Sequence, residues 1–133
     1  MKFLLDTDTC VFWLRGYASV RDHLAAVDPE VIAISVITLA ELRYGAACSA
    51  RPASNHQAVD DFTAALSILG VHPETAHIFG EIKAHLRKEG MLKEDLDLLI
   101  AATARTHNLT LVTNNQDHFG RIPGLRLDNW MEH

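Results

Sequence analysis

No apolar run in this sequence approaches the roughly 20 residues that a membrane-spanning helix needs, and the first residues lack the charged-then-apolar order of a secretory leader. A cytoplasmic protein that does not touch the membrane is the expectation. Cysteine is scarce: the only two, Cys10 and Cys48, fall in apolar helical patterns without metal-ligand spacing and read as reduced packing residues. The eight histidines are scattered, and none form the H-x-x-x-H pair of a zinc site. His77 and His85 share a helical segment two turns apart, as on a solvated face. There is no Gly-rich phosphate loop and no Ser/His/Asp or Cys/His arrangement to support nucleophilic catalysis. Basic residues are outnumbered, 12 against 17 acids, for a formal net charge of −5. That balance argues against a protein that coats nucleic acid by bulk electrostatics. It still allows an enzyme that grips phosphates through a metal and a local basic patch.

What is present is ordinary in bulk and specific in placement. With 133 residues, 48% of them apolar, the chain is long enough for one cored domain, 1–133, and too short for two. No repeat, linker or low-complexity tract interrupts it. Lys2-Phe-Leu-Leu-Asp6-Thr-Asp8-Thr9 runs three apolar residues into two carboxylates, a short buried strand delivering Asp6 to a sheet edge. An acid there is a magnesium ligand, a nucleophile, or part of a helix start in which Asp8 or Thr7 caps and Asp6 complements the dipole.

A first helix fades near Gly16, a second spans about 19–27, and a buried strand occupies 31–34. The stretch of about 36–48 is helical, with Ile37, Ala40, Tyr44 and Ala47 on one face. Thr38-Leu-Ala-Glu41 has the form of a capping box, but Ser35 directly ends the strand and is the better cap, which frees Glu41. A loop is expected over 49–56, then a helix with Ala58, Phe62, Ala65, Leu66 and Leu69 at amphipathic spacing. A short strand near 68–71 follows. Pro73 opens a helix with the stripe Phe79, Ile82 and Leu86, which Gly90 stops. Asp95 and Asp97 then lead into 98–104, a helix apolar almost all round and therefore central. The last β-rich run is 110–113. Strands alternating with helical crossovers give a three-layer α/β/α sandwich around a mainly parallel sheet.

Right-handed crossovers put every strand's carboxyl end on one rim. Asp6 and Asp8 follow the first strand, Glu41 lies shortly beyond the second, Asn115 and Asp117 follow the last, and Asp97 starts the helix feeding it. Several carboxylates on one rim repel one another, and a cation is the usual compensation. Magnesium takes such oxygen ligands and bridges them to phosphates, so metal-dependent phosphodiester hydrolysis is the chemistry expected.

Leu4-Leu-Asp6-Thr-Asp8-Thr9, Ile34-Ser-Val-Ile-Thr-Leu-Ala-Glu41-Leu-Arg-Tyr-Gly45, Asp97-Leu-Leu-Ile-Ala-Ala102, Leu111-Val-Thr-Asn-Asn115 and Phe119-Gly-Arg-Ile-Pro-Gly-Leu125 with Trp130 together resemble, in order and spacing, the PIN-domain family. The likeness is strongest to the VapC-type toxins of prokaryotic toxin–antitoxin pairs, and it covers essentially the whole chain. It implies a dimeric, Mg2+-dependent endoribonuclease, with Mn2+ as a substitute, that cuts structured RNA such as tRNA and leaves a 5′-phosphate and a 3′-hydroxyl. A VapB-type antitoxin would inhibit it by inserting a C-terminal segment near the active site. Asp6, Glu41 and Asp97 carry over as the catalytic and metal-binding triad. Two acids frequent in the family are replaced here, at Asn115 and His118. The amide oxygen of Asn115 can still ligate, and Asp117 stands by as a substitute charge. Asp8 takes a place where Asn is frequent, and the Pro-Ile usual before the third acid is missing from 90–95. Asp8 and Thr113 are candidates to support the ligands, while Asp95 either caps its helix or does the same.

Arg15, Arg43 and Lys93, with Arg51 and Arg121, are candidates for holding RNA, and Trp13 and Tyr44 for stacking bases, though their helical spacing equally suits packing. A receiver-type phosphoacceptor would need a Lys where Asn114-Asn115 stands, and Cys10 breaks the D-x-D-x-T/V pattern of a phosphatase. The remaining alternative is a degenerate PIN-like module that binds RNA or a protein without cutting.

Overall fold

A computed structural model describes residues 1–132. Its frame is five short strands: β1 (Phe3–Leu5), β2 (Ile32–Ser35), β3 (Ser67–Leu69), β4 (Thr110–Val112) and β5 (Arg126–Asp128). They form one all-parallel sheet in the order β3-β2-β1-β4-β5. The helices are α1 (Thr7–Leu14), α2 (Ala18–Ala25), α3 (Val36–Ala47), α4 (Pro52–Thr63), α5 (Pro73–Lys88), α6 (Asp95–Thr106) and the one-turn α7 (Gln116–Phe119).

Strand side chains alternate between the faces of the sheet, and the register makes each face continuous. Leu4 pairs with Ala33 and Leu111, and all three pack into one cluster with Ile82 and Leu86 of α5 and Leu98, Ala101 and Ala102 of α6. Leu5 pairs with Ile34 and Val112, and these pack on the other face with Cys10, Leu42, Val59, Phe62 and Trp130. Each fully buried aliphatic side chain contributes about 1.5–3 kcal/mol, so the two clusters outweigh what strands this short supply by hydrogen bonding. The small residues of α6 let it pack closely against α5 and the sheet, which makes it the central helix expected.

The chain builds outward from β1 through β2 to β3, then returns to lay β4 on the other side of β1. Such a reversal opens a crevice at the carboxyl ends of the two strands flanking it, here β1 and β4.

Several local expectations are corrected. Asp6 itself caps α1, its Oδ1 accepting from the Thr9 amide at 2.8 Å, so neither Thr7 nor Asp8 has that duty. The expected loop over 49–56 closes early, because Pro52 has its φ already set for a first helical position, and α4 begins there. Its first turn is Pro, Ala, Ser and Asn, all exposed, so no apolar period announces it. On α3 the face turned inward carries Thr38, Leu42 and Ala46, while Ala40, Tyr44 and Ala47 lie outside. Cys10 is buried, but Cys48 is exposed at the end of α3 and packs nothing. Strand β5 has no counterpart among the expected elements: it is a three-residue edge strand with Arg126 exposed and Leu127 and Asp128 partly buried, too short to show alternation. Ser35 does cap α3, its Oγ accepting from the Ile37 amide at 2.8 Å. No helix among the described residues is long and apolar enough to cross a membrane.

Candidate active site

Asp6 leaves β1 at the crevice and is 4% exposed. Its carboxyl is pushed above the ordinary value, chiefly by burial, with hydrogen bonds from Thr113 and Thr9 opposing and the neighbouring Asp8 charge adding to the rise. A helix cap contributes about 0.5–2 kcal/mol and Asn or Ser serves as well as Asp. Capping alone therefore does not account for an acid buried at a cost to its charged form.

The other strand end supports it. Thr113, fully buried just after β4, bonds the Asp6 carboxylate and accepts from the Asn115 amide at 3.0 Å. From α3, Glu41 points back toward α1: its Oε1 accepts from the Thr7 hydroxyl at 2.7 Å, and that hydroxyl lies 3.2 Å from the buried hydroxyl of Thr38. Asp97, on the first turn of α6, faces His118 on α7 with 3.0 Å between Oδ2 and Nε2.

These groups meet in a cleft of about 80 Å³ lined by Asp6, Thr7, Asp8, Glu41, Asp97, Asn115 and Phe119. Four carboxylates and a side-chain amide make a wholly oxygen donor set, the kind that suits Mg2+ or Mn2+ and not a thiolate or imidazole metal. Among the described residues, no three His, Cys, Asp or Glu side chains close on one point as a ready-made cage. Spread ligands of this kind fit an ion that keeps several of its waters and leaves room for a phosphate. Cys10, directly behind Asp6, is fully buried, and burial followed by the Asp6 charge pushes its thiol far up, so it offers no nucleophile.

The structure thus brings Asp6, Asp8, Glu41, Asp97 and Asn115 together, with Thr113 beneath them. Asp117 is exposed on α7 and does not line the cleft. Asp95 is the first residue of α6, after Glu94 in the capping position, and pairs with Lys83 of α5 at 2.9 Å; it neither caps nor reaches the ligands. Arg43 pairs with Asp60 and donates to the His56 carbonyl at 3.1 Å, fastening α3 to α4. Trp13 is engaged by Phe62 at 4.7 Å on one side and by the Arg21 guanidinium at 4.3 Å on another. Lys93 lines a neighbouring pocket with Leu92, Glu94, Asp95 and His118, and Arg15 a groove that also reaches Glu41. Arg51 and Arg121 are exposed, and Tyr44 is 73% exposed on the outer face of α3.

Thr7 is the residue that sequence reasoning passed over as anything but a cap. Its signal is its place between two acids at a strand end, as the first residue of the helix that faces α3. Thr7→Val keeps the shape and removes the donor to Glu41. It is expected to lower activity about 10–100-fold, the range for losing a partner that orients a ligand, with a melting curve close to wild type. Initial rates and thermal melts of the two proteins check it.

The family model for the PIN domain matches residues 3–125. The chain is 38% identical over 132 residues to the ribonuclease VapC2 of Rickettsia felis, covering 98% of each. It is 36% identical over 130 residues to the tRNA(fMet)-specific endonuclease VapC of Salmonella typhimurium, again covering 98% of each. Among solved structures, it superposes on a chain of the VapBC2 complex of Rickettsia felis bound to a promoter DNA fragment with a TM-score of 0.92, at 37% identity, covering 98% of this chain and 99% of that one. The DNA-bound VapBC complex of Salmonella typhimurium gives 0.93 at 37% identity, with 98% of both chains covered. These likenesses span nearly the whole chain, and the protein belongs to the PIN-domain family, among its VapC ribonucleases.

Proposed function

We propose that this chain is the toxin of a type II toxin–antitoxin pair, a Mg2+-dependent endoribonuclease that hydrolyses a phosphodiester bond of tRNA and is held inactive by a VapB-type antitoxin. The observation that carries the reading is the convergence of Asp6, Asp8, Glu41, Asp97 and Asn115 on one cleft at the point where the sheet reverses. The substrate class is supported by the relative from Salmonella typhimurium named as a tRNA(fMet)-specific endonuclease, and the partner by the VapBC complexes.

Asp6, Glu41 and Asp97 would hold the ion, with Asn115 able to add its amide oxygen; Mn2+ would substitute. When bound, the ion lowers the pKa of a water for attack and neutralises charge on the phosphate. The protein's part is orientation. Thr113 and the Thr9 amide hold Asp6, and Thr7 holds Glu41. Of these carboxylates Asp6 is the buried one, so its charge is the least screened by bulk water. Arg15 and Lys93, which line neighbouring depressions, would meet RNA phosphates. We further propose a homodimer working in the cytoplasm. The intact triad of Asp6, Glu41 and Asp97 speaks against a module that binds without cutting.

Purified protein free of antitoxin, incubated with total tRNA, is expected to give discrete fragments with Mg2+ or Mn2+, none with chelator, and none from Asp6→Asn. Intact tRNA with wild-type protein under both metals would overturn the reading.

A further inference from the structure

We infer that His118 is the positioning residue of Asp97, holding one carboxylate oxygen so that the other is left for the cleft; the inference rests on the metal-site reading above. Each acid of the triad receives a hydrogen bond from an element other than its own. Asp6 is held by Thr113 from beyond β4, and Glu41 by Thr7 from α1. For Asp97, the corresponding group is the imidazole of His118, with Nε2 3.0 Å from Oδ2. An ionised carboxylate only accepts, so the nitrogen facing it carries the hydrogen and donates.

The imidazole is itself fixed. Its ring stands edge-on to Phe119, with centroids 4.9 Å apart and planes at 85°, and Phe119 is buried against the α5–α6 side of the core. Helix α7 is a tight turn: the Gly120 amide donates to the Gln116 carbonyl at 2.7 Å, and a Cβ at Gly120 would meet that same oxygen. One turn of helix therefore carries Asn115 to the cleft at its start and His118 to Asp97 at its end. Asp97 sits on α6, a separate element, so without this clamp nothing from α7 sets its side-chain rotamer. Partners of this kind fix a ligand's orientation and typically change metal affinity about 10–100-fold when removed.

The test is Mn2+ affinity measured by electron paramagnetic resonance at one fixed pH, on wild type, His118→Leu and His118→Gln, each checked by thermal melting. Leu fills the space against Phe119 without a donor, and Gln keeps a donor N–H. His118→Leu is expected to bind Mn2+ about 10–100-fold more weakly and to lose cleavage rate in step, while His118→Gln recovers most of both. Wild-type Mn2+ affinity in His118→Leu, or no recovery in His118→Gln, would overturn the inference and leave the metal site standing. Absence of Mn2+ binding in the wild type itself would overturn the metal reading, and the inference with it.

Discussion

Asp97→Asn is expected to abolish tRNA cleavage, a loss greater than the ~100-fold upper range for residues that only support a ligand, whereas Asp95→Asn leaves the rate near wild type. The two acids are separated by one residue on the same first turn of α6, and their surroundings differ entirely. Asp97 lines the acidic cleft, while Asp95 pairs with Lys83 at 2.9 Å on the α5 side, with side chains 57% and 43% exposed. An exposed pair of that kind contributes about 0–1 kcal/mol, so its loss shows as at most a small change in melting temperature. Asn keeps the size of the side chain at 97, and the helix-dipole contribution forgone is about 0.3–1 kcal/mol. Both variants should therefore fold. Side-by-side cleavage rates and melts check the pair. Equal loss of activity in the two would mean that the third acid has been wrongly assigned.

Asp6→Asn is expected to remove activity to a similar degree and, in metal-free buffer at neutral pH, to raise the melting temperature. Asn caps a helix as well as Asp does, so the bond to the Thr9 amide survives the change. What disappears is the charge. The folded-state pKa of Asp6 is raised above its unfolded value of about 3.9 mainly by burial, so ionisation is harder in the folded protein than in the unfolded chain. The resulting penalty is fully present above the folded pKa and is relieved as pH falls through it toward the unfolded value. The stability gap between Asp6→Asn and wild type should accordingly narrow in acid. Added Mg2+ should narrow it from the other side, by binding the folded wild type and not the variant. Melts across pH, with and without Mg2+, read both trends. A variant less stable than wild type at neutral pH in chelator would show that the charge is not the destabilising feature.

The parts legible in the sequence were those governed by local chemistry and by topology. Three apolar residues before Asp6, the apolar run of β2 ending at Ser35, and the all-round apolar pattern of α6 each depend on nearest neighbours, and each element lies where those neighbours place it. Parallel strands joined by right-handed crossovers bring their carboxyl ends to one rim, so the meeting of Asp6, Glu41 and Asp97 follows from topology without side-chain detail. The same local reasoning failed where the signal is weak or shared. The polar first turn of α4 and the three residues of β5 carry no period, and on α3 two apolar faces compete, with Thr38, Leu42 and Ala46 turned inward.

By itself, then, the sequence determined the class of fold, the side of the sheet that carries chemistry and the oxygen character of the site. Only the tertiary structure decided which neighbours serve it: Thr7 holding Glu41 across 34 positions, His118 holding Asp97 across 21, Asn115 at the cleft instead of Asp117, and Arg43 tied to Asp60. The physical reason is that periodicity and capping act within a turn or a strand, whereas a hydrogen bond between side chains depends on the relative placement of separately packed helices to within an ångström, which no local pattern specifies.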